Sequence, residues 1–414
     1  MKVDERPPGL LVSSPVAACF SLQGGSNKVA GTSSRALTLV PYRAKLGAAT
    51  DPTPALMEDE MADEIVIGTS LPKTGPYAET QFLQYQRSYD QWVADVNASG
   101  GILGKQVKFV WYDDNGTAEG CEANFKKLIN EDKVDLLLGP CHSVLIEPMA
   151  HVTEEAEMVL LEGSGSVSEM FRKGRKWLFL VWDADCNYMK SYYEFVKTKG
   201  VSKVGSIAGN RPRGLGHARG AEAHAKRLGL DMAFNELYSG EADYADIFKR
   251  AKASGAEAIA WDIEARGPAK KEAIQAAVDA GFKTSQLWLS ENPGQPVADG
   301  VFSRVTWVPN DPRPESKKFY EDFKRLWNDE PEFHCAGGYS VGQVMHQAVE
   351  KVGGTDQKKL REAILSMEFD TIIGKLKYGD DGLPIATFPL AQWQNGKAEL
   401  VFPEASKTAE AKFD

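Results

Sequence analysis

Five cysteines in 414 residues are too few to build a disulfide scaffold, and no Cys-x-x-Cys pair marks a structural zinc site. Long apolar runs are missing too. None approaches the ~18–20 residues that a membrane-spanning helix needs. Basic residues are in deficit, 48 Lys and Arg against 58 Asp and Glu, for a formal charge of −10. That balance argues against a general nucleic-acid binder, which needs a cationic surplus to meet phosphates. The chain also lacks a Gly-x-Ser-x-Gly elbow and a His-Glu-x-x-His helix, and its six histidines are scattered. What is present is 43% apolar and 10% aromatic residues, enough in this length for two domains with sizeable cores.

Residues 1–62 share little of this. They hold two aromatics, Phe20 and Tyr42, yet six of the 21 prolines, with six basic and six acidic residues. So few large apolar groups cannot offset the entropy of ordering, so the segment reads as a disordered leader. Val16-Ala17-Ala18-Cys19 resembles a bacterial lipoprotein cleavage box, which would make Cys19 the lipidated residue. Against that reading, Asp4 and Glu5 spoil the basic region and Pro15 interrupts the apolar one.

From residue 63 the pattern becomes regular. Apolar runs at 64–70, 107–112, 134–138, 158–161 and 177–181 alternate with helical periodicity at 80–98, 119–130 and 144–155. The second series sets strands at 203–208, 231–237, 258–261, 286–289 and 305–308 against helices at 187–199, 214–228, 244–254 and 269–280. Three helices follow, at 315–328, 336–352 and 357–367. The end of the chain, 373–378 with 391–401, reads as a β-hairpin turning at Asn395-Gly396. Short continuous apolar strands between helices indicate parallel sheets covered on both faces. The expected architecture is therefore α/β, with two doubly wound units and a ligand crevice at the carboxyl ends of their strands.

An enzyme is a weak alternative. Gly214-x-Gly216-x-x-x-Gly220 follows a strand but lacks the spacing of a dinucleotide loop, and no acidic residue ends a strand about twenty residues later. His217 and His224, seven apart on a basic helix, read as surface.

Several short segments, in order, carry a family resemblance: Ile67-Gly-Thr-Ser-Leu-Pro-Lys-Thr-Gly-Pro76, Val96-Asn-Ala-Ser-Gly-Gly-Ile102, Tyr112-Asp-Asp114, Leu138-Gly-Pro140, Ala280-Gly281, Phe369-Asp-Thr371 with Gly374, and Gln392-Trp-Gln-Asn-Gly-Lys397. From about residue 63 to 403 the chain resembles the periplasmic substrate-binding proteins of ABC importers, of the branched-chain amino acid (Leu/Ile/Val-binding) type. The resemblance implies a two-lobed clamshell with three hinge crossovers, closing on a small amino acid-like or carboxylate ligand. Lobe 1 would take 63–183 and 309–369, and lobe 2 would take 184–308 and 370–403, with 404–414 a flexible tail. It further implies a periplasmic monomer without catalysis, metal or cofactor, whose partner is a membrane permease. The same clamshell serves amide- or amino acid-responsive regulators and receptors, so a sensor uncoupled from transport stays open.

The resemblance also assigns site positions. Ser143, after the strand at 134–138, and Gly165-Ser166, after the strand at 158–161, fall where the family holds a ligand carboxylate. Hydroxyls and N–H groups at helix starts suit an anion, although the same serines could simply cap those helices. Glu291 falls where the family's amino acid binders place the partner of the ammonium group. Departures come in lobe 2, where Arg213, with Arg211 beside it, replaces a Tyr that covers the ligand, and Arg266 follows the strand at 258–261. A guanidinium binds carboxylates in bidentate fashion, so an inward Arg would mean an extra anionic group or a ligand carboxylate presented to lobe 2, and would argue against plain branched-chain specificity. Thr80, with Tyr77 three residues earlier, takes the place of the family's aromatic. His142 could donate to an acid or cap the next helix. Trp182-Asp183-Ala-Asp185 replaces the usual polar hinge stretch. Relatives often carry a disulfide near Cys121 and Cys141, and the alternative is two buried free thiols.

Overall fold

The computed structural model describes residues 64–413 apart from Pro140, Cys141, Glu264, Arg266 and 291–298, and at Thr80 and Gly267 it describes the backbone alone. The leader, Cys19, Cys141, Arg266 and Glu291 therefore lie outside the described residues.

The first lobe is built on a five-stranded sheet, β1 (Glu64–Leu71), β2 (Gln106–Asp113), β3 (Leu136–Leu138), β4 (Leu160–Glu162) and β5 (Leu178–Leu180), in the order β2-β1-β3-β4-β5. Every pairing is parallel, as the continuous apolar runs require. A π-helical turn at Ala78–Phe82 leads into α1 (Leu83–Ala98), whose Tyr85, Tyr89, Trp92 and Val96 are buried at helical spacing. Then come α2 (Ala118–Asn130), α3 (Ser143–Glu155) and the single turn α4 (Ser168–Phe171).

The second lobe holds α5 (Lys190–Thr198), β6 (Lys203–Gly209), α6 (Pro212–Leu228), β7 (Asp231–Tyr238), α7 (Tyr244–Ala253), β8 (Ala258–Asp262), α8 (Gly267–Asp279), β9 (Leu287–Leu289) and β10 (Phe302–Arg304). Alternate strand residues enter opposite cores. Ala258, Ala260 and Trp288 pack with the α5 residues Tyr192 and Val196, whereas Ile259, Trp261, Leu287 and Leu289 pack with Ile247 and Phe248 of α7. That division follows from the two-residue period of a strand covered on both faces.

The chain then returns to the first core through α9 (Pro314–Trp327), α10 (Phe333–Val352) and α11 (Gln357–Ser366). An antiparallel hairpin of β11 (Glu368–Thr371) and β12 (Gly374–Lys377) packs there as well. Ile372, Ile373, Leu376, Leu383 and Phe388 all belong to the first core, so the second lobe resumes at Leu390 rather than 370. It does so with β13 (Leu390–Gln394) and β14 (Lys397–Phe402), giving the sheet order β14-β13-β10-β9-β8-β6-β7. The chain thus crosses between lobes three times, after β5, after β10 and before β13.

Three expectations change. The strand expected at 305–308 is β10, at Phe302–Arg304; Val305 and Val308 are apolar because they pack on Ala391 and Leu400 within a crossover. The segment 373–378 pairs with 368–371, while β13 pairs with β14 across Asn395 and Gly396, which take the two positive φ angles, 51° and 81°, that a tight hairpin needs. The end of the chain is bound down rather than loose: the Gln392 amide exchanges two hydrogen bonds with the Lys412 backbone, and Phe413 packs edge-on against Phe195.

Candidate functional site

The carboxyl ends of the strands carry the polar groups. In the first lobe the turn after β1 brings Tyr77 over His142, with the rings stacked at 4.0 Å and 25°. His142 follows β3, and its Nδ1 accepts the Val144 N–H at 3.3 Å, so it caps α3; burial pushes its pKa down and keeps the ring neutral. Ser143 is the first residue of α3. Tyr77, His142 and Ser143 are therefore brought together, and Thr80 stands in the adjoining π-helical turn.

After β4 the chain turns tightly through Glu162-Gly-Ser-Gly-Ser166. The buried Glu162 carboxylate accepts the N–H groups of Ser164 at 3.0 Å and Gly165 at 2.5 Å. Desolvation holds its carboxyl up to about 8, against the pull of those bonds. The Gly165 N–H, expected to face a ligand carboxylate, is thus donated within the turn. A Cβ there would fall 1.7 Å from Ile146 Cδ1 and 2.8 Å from its Cγ1, so any larger residue requires the Ile146 side chain to move. The hydroxyl of Ser166 is hydrogen-bonded to the Tyr188 hydroxyl across the first crossover, and its carbonyl accepts the Asp185 N–H at 2.8 Å.

In the second lobe a chain of contacts runs along the strand ends. Arg213, in the first turn of α6, reaches the buried Asp262 at the end of β8, with Nε 3.2 Å from Oδ2 and a terminal nitrogen 3.2 Å from Oδ1. The Ser290 hydroxyl, after β9, donates to Asp262 Oδ1 at 2.6 Å. Its carbonyl accepts from Arg304 Nε, at the end of β10, at 3.1 Å. The Arg304 guanidinium lies over the Tyr188 ring at 4.2 Å and near Trp182 at 5.8 Å. Tyr188 therefore touches Ser166 of one lobe and Arg304 of the other.

This two-lobed arrangement agrees with what the chain is similar to. The profile of the family described as periplasmic binding protein matches residues 64–398. The chain belongs to the periplasmic binding protein family. An amino acid binding protein of Pseudomonas aeruginosa is 25% identical over 344 residues, 80% of this chain and 91% of that one. A leucine-, isoleucine-, valine-, threonine- and alanine-binding protein of the same organism is 23% identical over 339 residues, covering 80% and 90%. Among solved structures, an ABC transporter substrate-binding protein from Desulfitobacterium hafniense in complex with Leu superposes with a TM-score of 0.68 at 20% identity, over 82% of this chain and all of that one. A solute binding protein from R. palustris in complex with benzoate gives 0.62 at 18% identity, over 85% and 98%. These structural likenesses establish the type I periplasmic binding protein clamshell.

Within this periplasmic binding protein, sequence reasoning missed Asp262, Ser290, Arg304 and Tyr188. The available signal was a buried strand closing on a charged residue, Asp262 after Ala258–Trp261. Gly214, Gly216 and Gly220 let α6 approach β6 and the first crossover, so the glycine spacing serves packing. His217 and His224 are corrected as well: His217 is fully buried, stacked on Trp288 at 5.9 Å, and His224 is half-buried, bonded to Asn187 at 3.0 Å. The α6 face that carries them packs inward. Cys121 is a free, buried thiol, and Cys141, the second cysteine of the suggested pair, lies outside the described residues. A cavity of about 580 Å³ beside the second crossover, lined by Trp307, Asn310, Glu332, Phe333 and Trp393 among others, contains none of the expected site residues.

Proposed function

We propose that the protein is an extracytoplasmic solute-binding component that captures a small amino acid-like or carboxylate ligand between its lobes and delivers it to the membrane permease of an ABC importer. The observation that carries this reading is the meeting of polar groups from both lobes at Tyr188, which joins Ser166 to Arg304. A ligand that bridges such groups favours the closed form over the open one by its differential contacts. Relatives named for amino acids, and structures of similar proteins in complex with Leu and with benzoate, support a small carboxylate as the ligand class.

In this reading the first lobe presents Ser143 and Ser166, with Tyr77, Thr80 and His142 as the adjoining wall. The second lobe presents Glu291 to a ligand ammonium group and Arg266 to an anionic one. Arg213 acts through Asp262, shaping the strand ends. Closure removes water from the cleft and strengthens each charge-assisted bond.

Thermal-shift screening against amino acids, their amides, and mono- and dicarboxylates tests the proposal. A ligand at 100 times its Kd raises folded-state stability by about 2.7 kcal/mol. Ser166→Ala and Glu291→Ala should abolish the shift. Unchanged affinity in both would remove these residues from the site.

A further inference from the structure

We infer that Arg304 is the carboxylate anchor of the cleft, so that the ligand is a small organic acid held through its anionic group by the second lobe. The inference rests on the ligand-binding reading of the cleft and names the group that selects the ligand.

Several donors at the strand ends are already engaged. The Ser164 and Gly165 N–H groups serve the buried Glu162 carboxylate. Arg213 meets the Asp262 carboxylate at two points. Arg304 differs from Arg213: among the described residues it makes no ion pair, and its hydrogen bond goes from Nε to a neutral carbonyl, that of Ser290. Its terminal nitrogens form the end of a planar fork that matches a carboxylate.

Placement supports the role. The guanidinium is half-buried, with its carbon 4.2 Å from the centre of the Tyr188 ring, a contact that restrains it and lowers the entropy lost on binding. Asp183 feels this charge, yet burial is the stronger influence on it and holds its carboxyl up to about 7, so it offsets only part of the positive charge. Tyr188 also binds the Ser166 hydroxyl, so the fork and the first-lobe serine flank one ring. Trp182 and Tyr188 both place aromatic rings beside the cation.

The test uses acid–amide pairs of matched shape, L-leucine with L-leucinamide and benzoate with benzamide, titrated calorimetrically into wild type, Arg304→Gln and Arg304→Lys. The expected result is that an acid binds wild type and weakens by roughly 10- to 150-fold in Arg304→Gln, the range of a lost charged hydrogen bond. Arg304→Lys should fall between, keeping charge without the fork, and amide binding should stay within about threefold of wild type in both. The Lys variant carries the test if the Gln variant melts early. An acid that binds equally well to wild type and both variants overturns the role of Arg304 and leaves the cleft reading standing. Binding of the amide in preference to the acid does the same. Failure of all four probes to bind wild type overturns both the anchor and the cleft reading.

Discussion

Gly216 of α6 rests against the carboxylate of Asp185: a Cβ at 216 would fall 2.3 Å from Oδ2 and 2.4 Å from Oδ1. Asp185 cannot easily yield. Its N–H is held by the Ser166 carbonyl at 2.8 Å, and its Oδ1 accepts the Ser168 N–H at 3.2 Å. The first crossover is thus clasped from one lobe by the turn after β4 and from the other by α6.

The first prediction follows directly. Helix propensity alone favours Gly216→Ala by about 1 kcal/mol. The steric conflict should reverse that sign and lower stability by about 1–3 kcal/mol, the usual cost of overpacking. Urea denaturation measures it, and a midpoint above wild type would show that the clasp is looser than its geometry.

The fold was readable where burial on both faces forces continuous apolar runs, as in Leu136–Leu138 and Ala258–Trp261. It was misread at Val305–Val308, because an apolar run in a crossover packed on Ala391 and Leu400 looks the same as a strand. Ser143 and Ser166 could be named from their places after strands. The contacts of Asp262 and Arg304 could not. Arg213 meets Asp262 across 49 positions and Arg304 meets Ser290 across 14, and no periodicity encodes pairings set by sheet order.

The end of the chain offers a second prediction. Gln392 and Gln394 are buried and bond to the backbone of Lys412 and Glu410, and Phe413 packs on Phe195 and Phe302. Removing residues 407–414 leaves these amides without those partners, at a cost of about 1–3 kcal/mol per unsatisfied group. The truncated protein should denature at lower urea; an unchanged midpoint would mean that water replaces the tail without loss.

A third prediction concerns Cys121. Its thiol is fully buried and burial raises its pKa well above the ordinary range, so little thiolate forms. Mass-mapped labelling with a thiol reagent should leave Cys121 unmodified in the native protein and label it fully in denaturant without reductant. A requirement for reductant would show that Cys121 is oxidised.

The last prediction is a pH dependence with a definite sign. An unfolded Glu titrates at about 4.3, whereas burial holds Glu162 up to about 8 in the folded protein. Between those values the folded state keeps a proton that the unfolded state has released. Stability from this group therefore falls as pH rises through the window and levels off above about 8. Asp183 and Asp185, both held up to about 7 by burial, slope the same way but finish earlier. His224 and His334, pushed down to about 4 and about 3, oppose this only on the acid side, where the unfolded imidazoles take up protons. From pH 7 to 8.5 the Glu162 contribution should therefore fall by about 1 kcal/mol. Glu162→Gln keeps an acceptor for the Ser164 and Gly165 N–H groups and removes the titration. Its stability, from urea midpoints at each pH, should be flatter than wild type over that interval, and parallel slopes would exclude Glu162 as the source.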